Sequence, residues 1–350
     1  MPLTDKPKDP LERLHRRPTL AEIADAAGVG TATVDRIVNG RGGVREPTRK
    51  RVMKALASLN AAQGAATEIQ AEKYKIAFLS ESGKSFQETL ESAVWETVRQ
   101  RPNIEATFEG ATTSRVDPVK YANLIERTAE TAQAIVIVAR EDLIINRAVR
   151  NVVGRGVPVI CITTDLPTSG RTAYIGNDPV STGATAAYLM GQTLGNREGN
   201  ILFVYSASYR VQEDRELGFR RVLRAEYPLL NVVERLNSND ETDLIYSNMV
   251  RYLEDHGPPA GIYNVAAGNV GIGKAINDFG LAGKTVFIGH ELNANSRMLL
   301  ETGVLNFAIG HDVAHEVDLA LTCAIQAAGR KAVTPPAFTR IRIYTKYSCN

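Results

Sequence analysis

The stretch from Pro18 to Asn60 reads PTLAEIADAAGVGTATVDRIVNGRGGVREPTRKRVMKALASLN, and its punctuation decides the fold of the first part of the chain. Thr19 and Glu22 have the spacing of a capping box, in which each side chain satisfies a free backbone donor at a helix start. Leu20, Ile23, Ala24 and Ala27 then fall at helical spacing and predict one apolar stripe. Gly28-Val29-Gly30 breaks that helix, because glycine takes the positive φ that a tight turn needs. A second short helix is expected over about 31–38, with Val34, Ile37 and Val38 inward and Thr31, Ala32 and Arg36 outward. Asn39-Gly40 ends it. A third helix over about 47–59 carries Val52, Ala55, Leu56 and Leu59 at core-facing spacing. Three short helices separated by glycine turns predict a small all-α helix-turn-helix headpiece.

Charge is distributed to match. The 350 residues carry a net charge of +2. Residues 1–60 hold 12 Lys/Arg against 7 Asp/Glu (+5), and the remaining 29 against 32 give −3. A basic head on a mildly acidic body suits phosphate binding by the head alone. No apolar run approaches membrane-spanning length, and the charged, proline-rich start lacks the apolar centre of a secretory signal. The three cysteines (Cys161, Cys323, Cys349) are far apart and have no metal spacing, which fits a reducing cytoplasm.

The run Thr19-Leu20-x-x-Ile23-Ala24-x-x-Ala27-Gly28-Val29-x-x-x-Thr33-Val34-x-Arg36-x-x-Asn39-Gly40, with Val44 and Thr48-Arg49 after it, resembles the headpiece of the LacI/GalR family of bacterial repressors. That resemblance implies DNA contacts from Thr19, Leu20, Thr31, Ala32, Thr33, Arg36 and Asn39. Thr31, Ala32 and Arg36 would face base edges, and Thr19, Thr33 and Asn39 the phosphates. The chain departs from the family at Gly30 and Asp35, where the family usually has Ser, and at Arg45-Glu46-Pro47, where it usually has a Ser cap. Pro47 is still compatible with a helix start. Residues 1–17 read as a flexible leader, 18–60 as the headpiece and 61–74 as a linker or hinge. In the family a hinge helix at that place wedges a Leu into the minor groove; here the preceding Tyr-x-Pro-Asn signature is missing and Ile69 is the one large apolar candidate.

From Lys75 onward short apolar runs alternate with helix-length segments. Strands are expected at Ile76–Leu79, Ile104–Phe108, Ile135–Val138, Val159–Ile162, Tyr174–Ile175, Ile201–Val204, Val232–Glu234, Gly261–Val265, Val286–Ile288 and Phe307–Ile309. Runs apolar throughout suit strands buried on both faces, and alternation with helices implies parallel sheets. So many strands imply two lobes. Residues 75–350 thus resemble the type I periplasmic-binding-protein fold of ribose-binding protein and of LacI-family effector domains. The lobes would comprise about 75–178 with 311–332, and 179–310 with 333–350. Ligands of such sheets bind beyond the C-terminal strand ends. Carried over by position, the resemblance implies effector contacts from Phe86, Asp165, Arg215, either Asn264 or Asn269, His290 and His311. The two histidines, where sugar binders usually have Asp and Gln, suggest an acidic or modified sugar.

Other signals weigh less. Gly268 to Lys274 nearly spells a phosphate-binding loop, but Ala275 stands where a magnesium-binding hydroxyl is needed. His311 and His315 have the i, i+4 spacing of a zinc motif without an evident third ligand. Trp95 lies on a helical stripe and reads as a core or subunit-interface residue. The expectation is a cytoplasmic, nucleoid-associated transcriptional repressor, not an enzyme, with no metal or cofactor. It would bind a pseudo-palindromic operator as a homodimer under control of a sugar-like effector, with no membrane partner. The alternatives are a sugar-phosphate or nucleotide-utilising enzyme built on the Gly268–Lys274 loop, and a transport-type sugar-binding protein.

Overall fold

Helix α1 (Leu20–Ala27) begins at the capping box: the Thr19 side chain accepts from the Glu22 amide, and the Glu22 carboxylate accepts from the Thr19 amide at 2.7 Å. It ends at Gly28, which takes the left-handed conformation (φ 62°) that a Cβ would penalise. Helix α2 (Thr31–Val38) follows, and α3 spans 46–56. The computed structural model describes residues 18–38, 44–56, 58, 73–334 and 337–349, so the leader, Asn39-Gly40, Leu59 and Ile69 lie outside the described residues. Ile23, Ala24, Ala27, Val34, Ile37, Val52 and Ala55 form one small core. Two side chains assigned inward by periodicity are outward: Leu20 is 38% exposed and Val38 49%. With eight residues each, α1 and α2 bury narrow faces, and the stripe edges remain in water.

The chain falls into two units, Met1–Lys73 and Tyr74–Asn350. The second unit contains two sheets. The first comprises β1 (Tyr74–Ser82), β2 (Ile104–Thr112), β3 (Ala134–Val138), β4 (Val159–Ile162) and β5 (Ala173–Ile175), all parallel in the order β2-β1-β3-β4-β5. The second comprises β6 (Gly199–Tyr205), β7 (Leu230–Asn237), β8 (Gly261–Asn264), β9 (Val286–His290), β10 (Phe307–His311) and β11 (Ile341–Tyr344), in the order β11-β10-β9-β8-β6-β7. All its pairings are parallel except that of β11, which runs antiparallel to β10. The two-lobed architecture with mostly parallel sheets is as the sequence implied, with ten strands where the apolar runs placed them. β11 was missed: Arg342 interrupts it, and a half-exposed four-residue edge has no continuous apolar signal.

Period-two alternation splits each sheet's side chains between two cores. On β1, Ile76 and Phe78 face α4 (Lys84–Arg99) and α12 (Val313–Ala328), whose Leu90, Val94, Val317 and Leu321 share their cluster. Leu79 instead joins Ile125 of α5 (Pro118–Thr128) and Val149 of α6 (Leu143–Gly154). In the second lobe, α7 (Pro179–Leu194) and α8 (Arg210–Glu226) cover one face. The other face is covered by α9 (Thr242–His256), α10 (Asn269–Asp278) and α11 (Ala294–Glu301). Thus α12, which follows the last parallel strand of the second sheet, returns to pack on the first. Trp95 of α4 does not join a core: it is 39% exposed, and its indole N–H donates to Glu91. Among the described residues no helix is long and apolar enough to cross a membrane.

Candidate functional site

Residues at or just past the C-terminal ends of strands from both sheets line one cavity of about 380 Å³: Ser82 of β1, Val138 of β3, Thr163 after β4, Val265 after β8 and His290 of β9. Phe86, in the first turn of α4, and Arg215 of α8 complete its walls. Several hydrogen bonds cross between the lobes here. The Asn293 amide donates to Ser85 Oγ at 2.8 Å, and the Val211 N–H to Thr164 Oγ1 at 3.3 Å. The Thr113 hydroxyl donates to Asp240 Oδ2 at 2.6 Å and lies 2.9 Å from the Tyr209 hydroxyl, which reaches Glu81 at 3.2 Å.

Of the effector contacts implied by resemblance, Phe86, Arg215, Asn269 and His290 line the cavity, and Asp165, Asn264 and His311 do not. Asp165 is turned away into a bidentate pair with Arg171, at 2.5 and 2.7 Å. Thr163, two residues earlier, stands on the cavity wall in its place. Between Asn264 and Asn269 the geometry separates the roles. Asn264 is fully buried and donates to Asn269 Oδ1 at 2.8 Å, while Asn269 donates to the His290 carbonyl at 3.0 Å. The pair braces β8 against β9.

His311 is the last residue of β10, buried behind Phe86, with the two rings stacked at 6.2 Å. Its Nδ1 lies 2.8 Å from Glu316 Oε2 and its Nε2 3.2 Å from Glu291 Oε1, in ion-pair contact though off the hydrogen-bond line. Burial disfavours the imidazolium, but the two carboxylates together outweigh it and raise the His311 pKa well above its ordinary value. Burial also acts against Glu291, whose pKa is nevertheless lowered by His311. His290 is pushed the other way, by burial first and then by Arg215 and His311, and is neutral. His315 belongs to the first turn of α12 and is exposed, so the two histidines do not share a helix face. Among the described residues no cluster of three or more His, Cys, Asp or Glu is placed to hold a metal.

Sequence reading missed a cluster of buried acids. Glu81, fully buried at the end of β1, is paired with Arg140 and bonded to Tyr209. Its partners are 59 and 128 residues away, so no local signal marked it. Burial raises the Glu81 pKa, and likewise that of Asp240, against the hydrogen bonds each accepts. Three cavity-lining residues, Thr163, Asp240 and Glu291, have positive φ (66°, 57° and 64°), a strained state for side chains that is common at ligand sites.

The glycine-rich segment from Gly268 has a packing role. A Cβ at Gly271 would meet the Thr242 carbonyl at 2.3 Å and one at Gly273 the Leu299 side chain at 2.6 Å. Lys274 is exposed and lies over the Tyr246 ring at 4.2 Å. In the first unit, Thr31, Ala32 and Arg36 are exposed together on α2, and Thr33 is half-buried. Thr19 has its hydroxyl engaged by Glu22, and Asn39 lies outside the described residues.

The chain matches two families: the periplasmic binding protein domain over residues 69–332, and bacterial regulatory proteins of the lacI family over residues 19–60. No curated protein matches the chain. Among solved structures, a solute-binding protein from Burkholderia graminis in complex with D-arabinose has 20% identity and a TM-score of 0.74, covering 79% of this chain and 97% of that one. GanP, a glucose-galactose binding protein from Geobacillus stearothermophilus, has 17% identity and a TM-score of 0.72 over 79% and 98%. A solute-binding protein from Agrobacterium vitis with bound D-fucose has 21% and 0.72 over 78% and 96%. At these identities the likeness is one of fold.

Proposed function

Since the chain belongs to the lacI family of bacterial regulatory proteins, with a periplasmic binding protein domain as its body, we propose that it is a transcriptional repressor controlled by a neutral sugar. DNA-binding regulation follows from the family; the repressor role, the effector and the residues are the proposal. In the division proposed, 18–60 is the headpiece, 61–74 the hinge and 75–350 the effector domain, and the protein works in the cytoplasm. Arg36 reads guanine bidentately, while Thr31 and Ala32 make methyl contacts with thymine. One headpiece reads one half-site, so a homodimer on a pseudo-palindromic operator is expected.

The observation that carries the effector reading is the cavity between two rows of strand ends, with an aromatic wall at Phe86 and a buried arginine at Arg215. Its charges already balance. Arg215 and His311 face Glu291 and Glu316, Arg140 pairs with Glu81, Lys84 lies 3.9 Å from Glu88, and burial shifts Asp240 toward its neutral form. A neutral polyhydroxyl ligand leaves that balance intact, which favours a plain sugar over the acidic one suggested by the two histidines. The solved structures with bound D-arabinose and D-fucose agree with this choice. Ligand draws the lobes together and biases the dimer toward one geometry, by no more than its difference in affinity between the two.

The test is operator selection from random duplexes with the full chain, followed by titration at several salt concentrations with and without sugars. Binding should weaken steeply with salt. Arg36→Ala should lose about 1–3 kcal/mol of discrimination at one base pair. Full sequence preference retained by Arg36→Ala would refute the recognition-helix assignment. Operator binding indifferent to every sugar would refute the effector.

A further inference from the structure

In the first lobe α4, α5 and α6 each end a few residues before the next parallel strand begins, so helix ends and strand starts share one edge, opposite the strand ends that line the cavity. The chain enters the lobe at this edge. The Tyr74 N–H donates to the Asn103 carbonyl just before β2 at 2.9 Å, and the Gln133 N–H just before β3 donates to the Lys75 carbonyl at 2.8 Å. A Cβ at Gly329, which caps α12, would lie 3.5 Å from the Tyr74 hydroxyl, so the end of α12 belongs to the same edge.

This edge is basic. Lys73 and Lys75 flank Tyr74, and both are exposed. Arg99 and Arg127 lie in the last turns of α4 and α5, Arg155 caps α6, and Arg330-Lys331 follow α12, all exposed. Arg99 and Arg155 donate to backbone carbonyls, those of Trp95 and Glu126, at 3.2 and 3.4 Å. Arg101 and Arg171, by contrast, are paired with Asp318 and Asp165. The carboxylates of the edge are Glu96, Glu105, Glu126 and Glu130, and Glu126 accepts from the Asn151 amide at 3.0 Å. Cations at helix C-termini complement the helix dipole. The second lobe does the reverse: the last turns of α8 to α11 hold Glu226, Glu254, Asp255, Asp278 and Glu301 against Arg224 and His256. The dipole therefore does not explain why one lobe's edge is basic.

The tether does. Residues 61–73 join this edge to the headpiece, and such a length of chain spans at most about 45 Å. DNA held by the headpiece is thus leashed to the basic edge. We propose that this edge of the first lobe is a second DNA-contacting surface, where Arg127, Arg155, Arg330 and Lys331 hold phosphates flanking the operator. This rests on the DNA-binding reading above. Phosphate contacts carry no base information, so the surface adds affinity and salt dependence and leaves sequence preference to the recognition helix.

The experiment measures operator affinity of the full chain against salt concentration, on the selected operator with arbitrary flanks and on the same operator cut at its ends. Each lost phosphate contact lowers the slope of log affinity against log salt by about 0.9. The triple variant Arg127→Gln, Arg155→Gln, Lys331→Gln should lower it by at least about two on the flanked duplex and change little on the trimmed one. The pair Arg330→Gln, Lys331→Gln, in a loop, should act in the same direction. Arg197→Gln, Arg224→Gln, Lys284→Gln removes as much charge from the second lobe and should leave the slope alone. An unchanged slope in both first-lobe variants, an equal fall in the second-lobe variant, or an altered base preference overturns this surface and leaves the DNA-binding reading standing. Wild-type protein that selects no duplex overturns both.

Discussion

Gly83 offers a direct measure of lobe closure. It precedes α4 in the first lobe, and a Cβ there would lie 2.9 Å from Ala267 Cβ and 3.1 Å from both Cβ and Cγ of Asp240, across the cleft. Carbon atoms rest at about 3.5–4.0 Å, so Gly83→Ala must part these surfaces by roughly half an ångström or move Asp240 off Thr113. Overpacking of that kind costs about 1–3 kcal/mol. Backbone strain adds nothing, because Gly83 sits at φ −61°, ψ 145°, ordinary for alanine. The loss of glycine at a helix start is a separate cost, equal whether the lobes touch or part, so it lowers the melting temperature without altering affinity. Since the clash exists only when the lobes touch, sugar affinity should fall about 5- to 150-fold, at 1.4 kcal/mol per tenfold. Calorimetric titration of Gly83→Ala with the best-binding sugar decides the matter. Affinity within twofold of wild type would mean that ligand binding does not require this seam to close.

Asp165→Asn separates the two candidates after β4: sugar affinity should stay unchanged, while loss of the bidentate pair with Arg171 costs about 1–2 kcal/mol in thermal unfolding. The buried pairing of His311 with Glu291 and Glu316 predicts a pH profile. His311 has a folded pKa raised above 6.5, so its stabilising contribution is complete below that value and is lost as pH rises through the raised pKa. Glu291 has a folded pKa lowered below 4.5, so its contribution is present above 4.5 and is lost as pH falls through the lowered pKa. His311→Gln should flatten the alkaline side of melting temperature against pH; a profile equal to wild type would dismiss the imidazolium. Neutral His290 acts oppositely, its contribution being present above 6.5 and declining as pH falls below it. That acid limb should disappear in His290→Asn.

What was legible in the sequence was whatever is local. The capping box needs only Thr19 and Glu22, and a strand buried on both faces, such as Val159–Ile162, is an unbroken apolar run between polar turns. Strand ends were harder. β1 runs on to Ser82 through Ser80 and Glu81, polar residues that read as loop because their partners lie far along the chain. Position in a motif also misled at Asp165, the nearest carboxylate after β4. Its own arginine follows six residues later, and the wall position falls to Thr163. Nothing in a residue's identity announces positive φ at a β-branched position. Surface apolar residues such as Leu20, Val38 and Trp95 fit a helical period as well as buried ones do, so periodicity alone could not place them.

The return of α12 to the first sheet has a consequence for synthesis. Proteins emerge from the ribosome N-terminus first, and domains generally fold as units. Here Ile76, Phe78, Val136 and Ile160 share a core with Val317, Leu321 and Ala324, which are made only after β6 to β10. The first lobe is therefore translated long before α12 exists, and the part of its greasy face that α4 leaves uncovered waits on the nascent chain. The lobes finish together, and neither can be released as a stable fragment by a single cut.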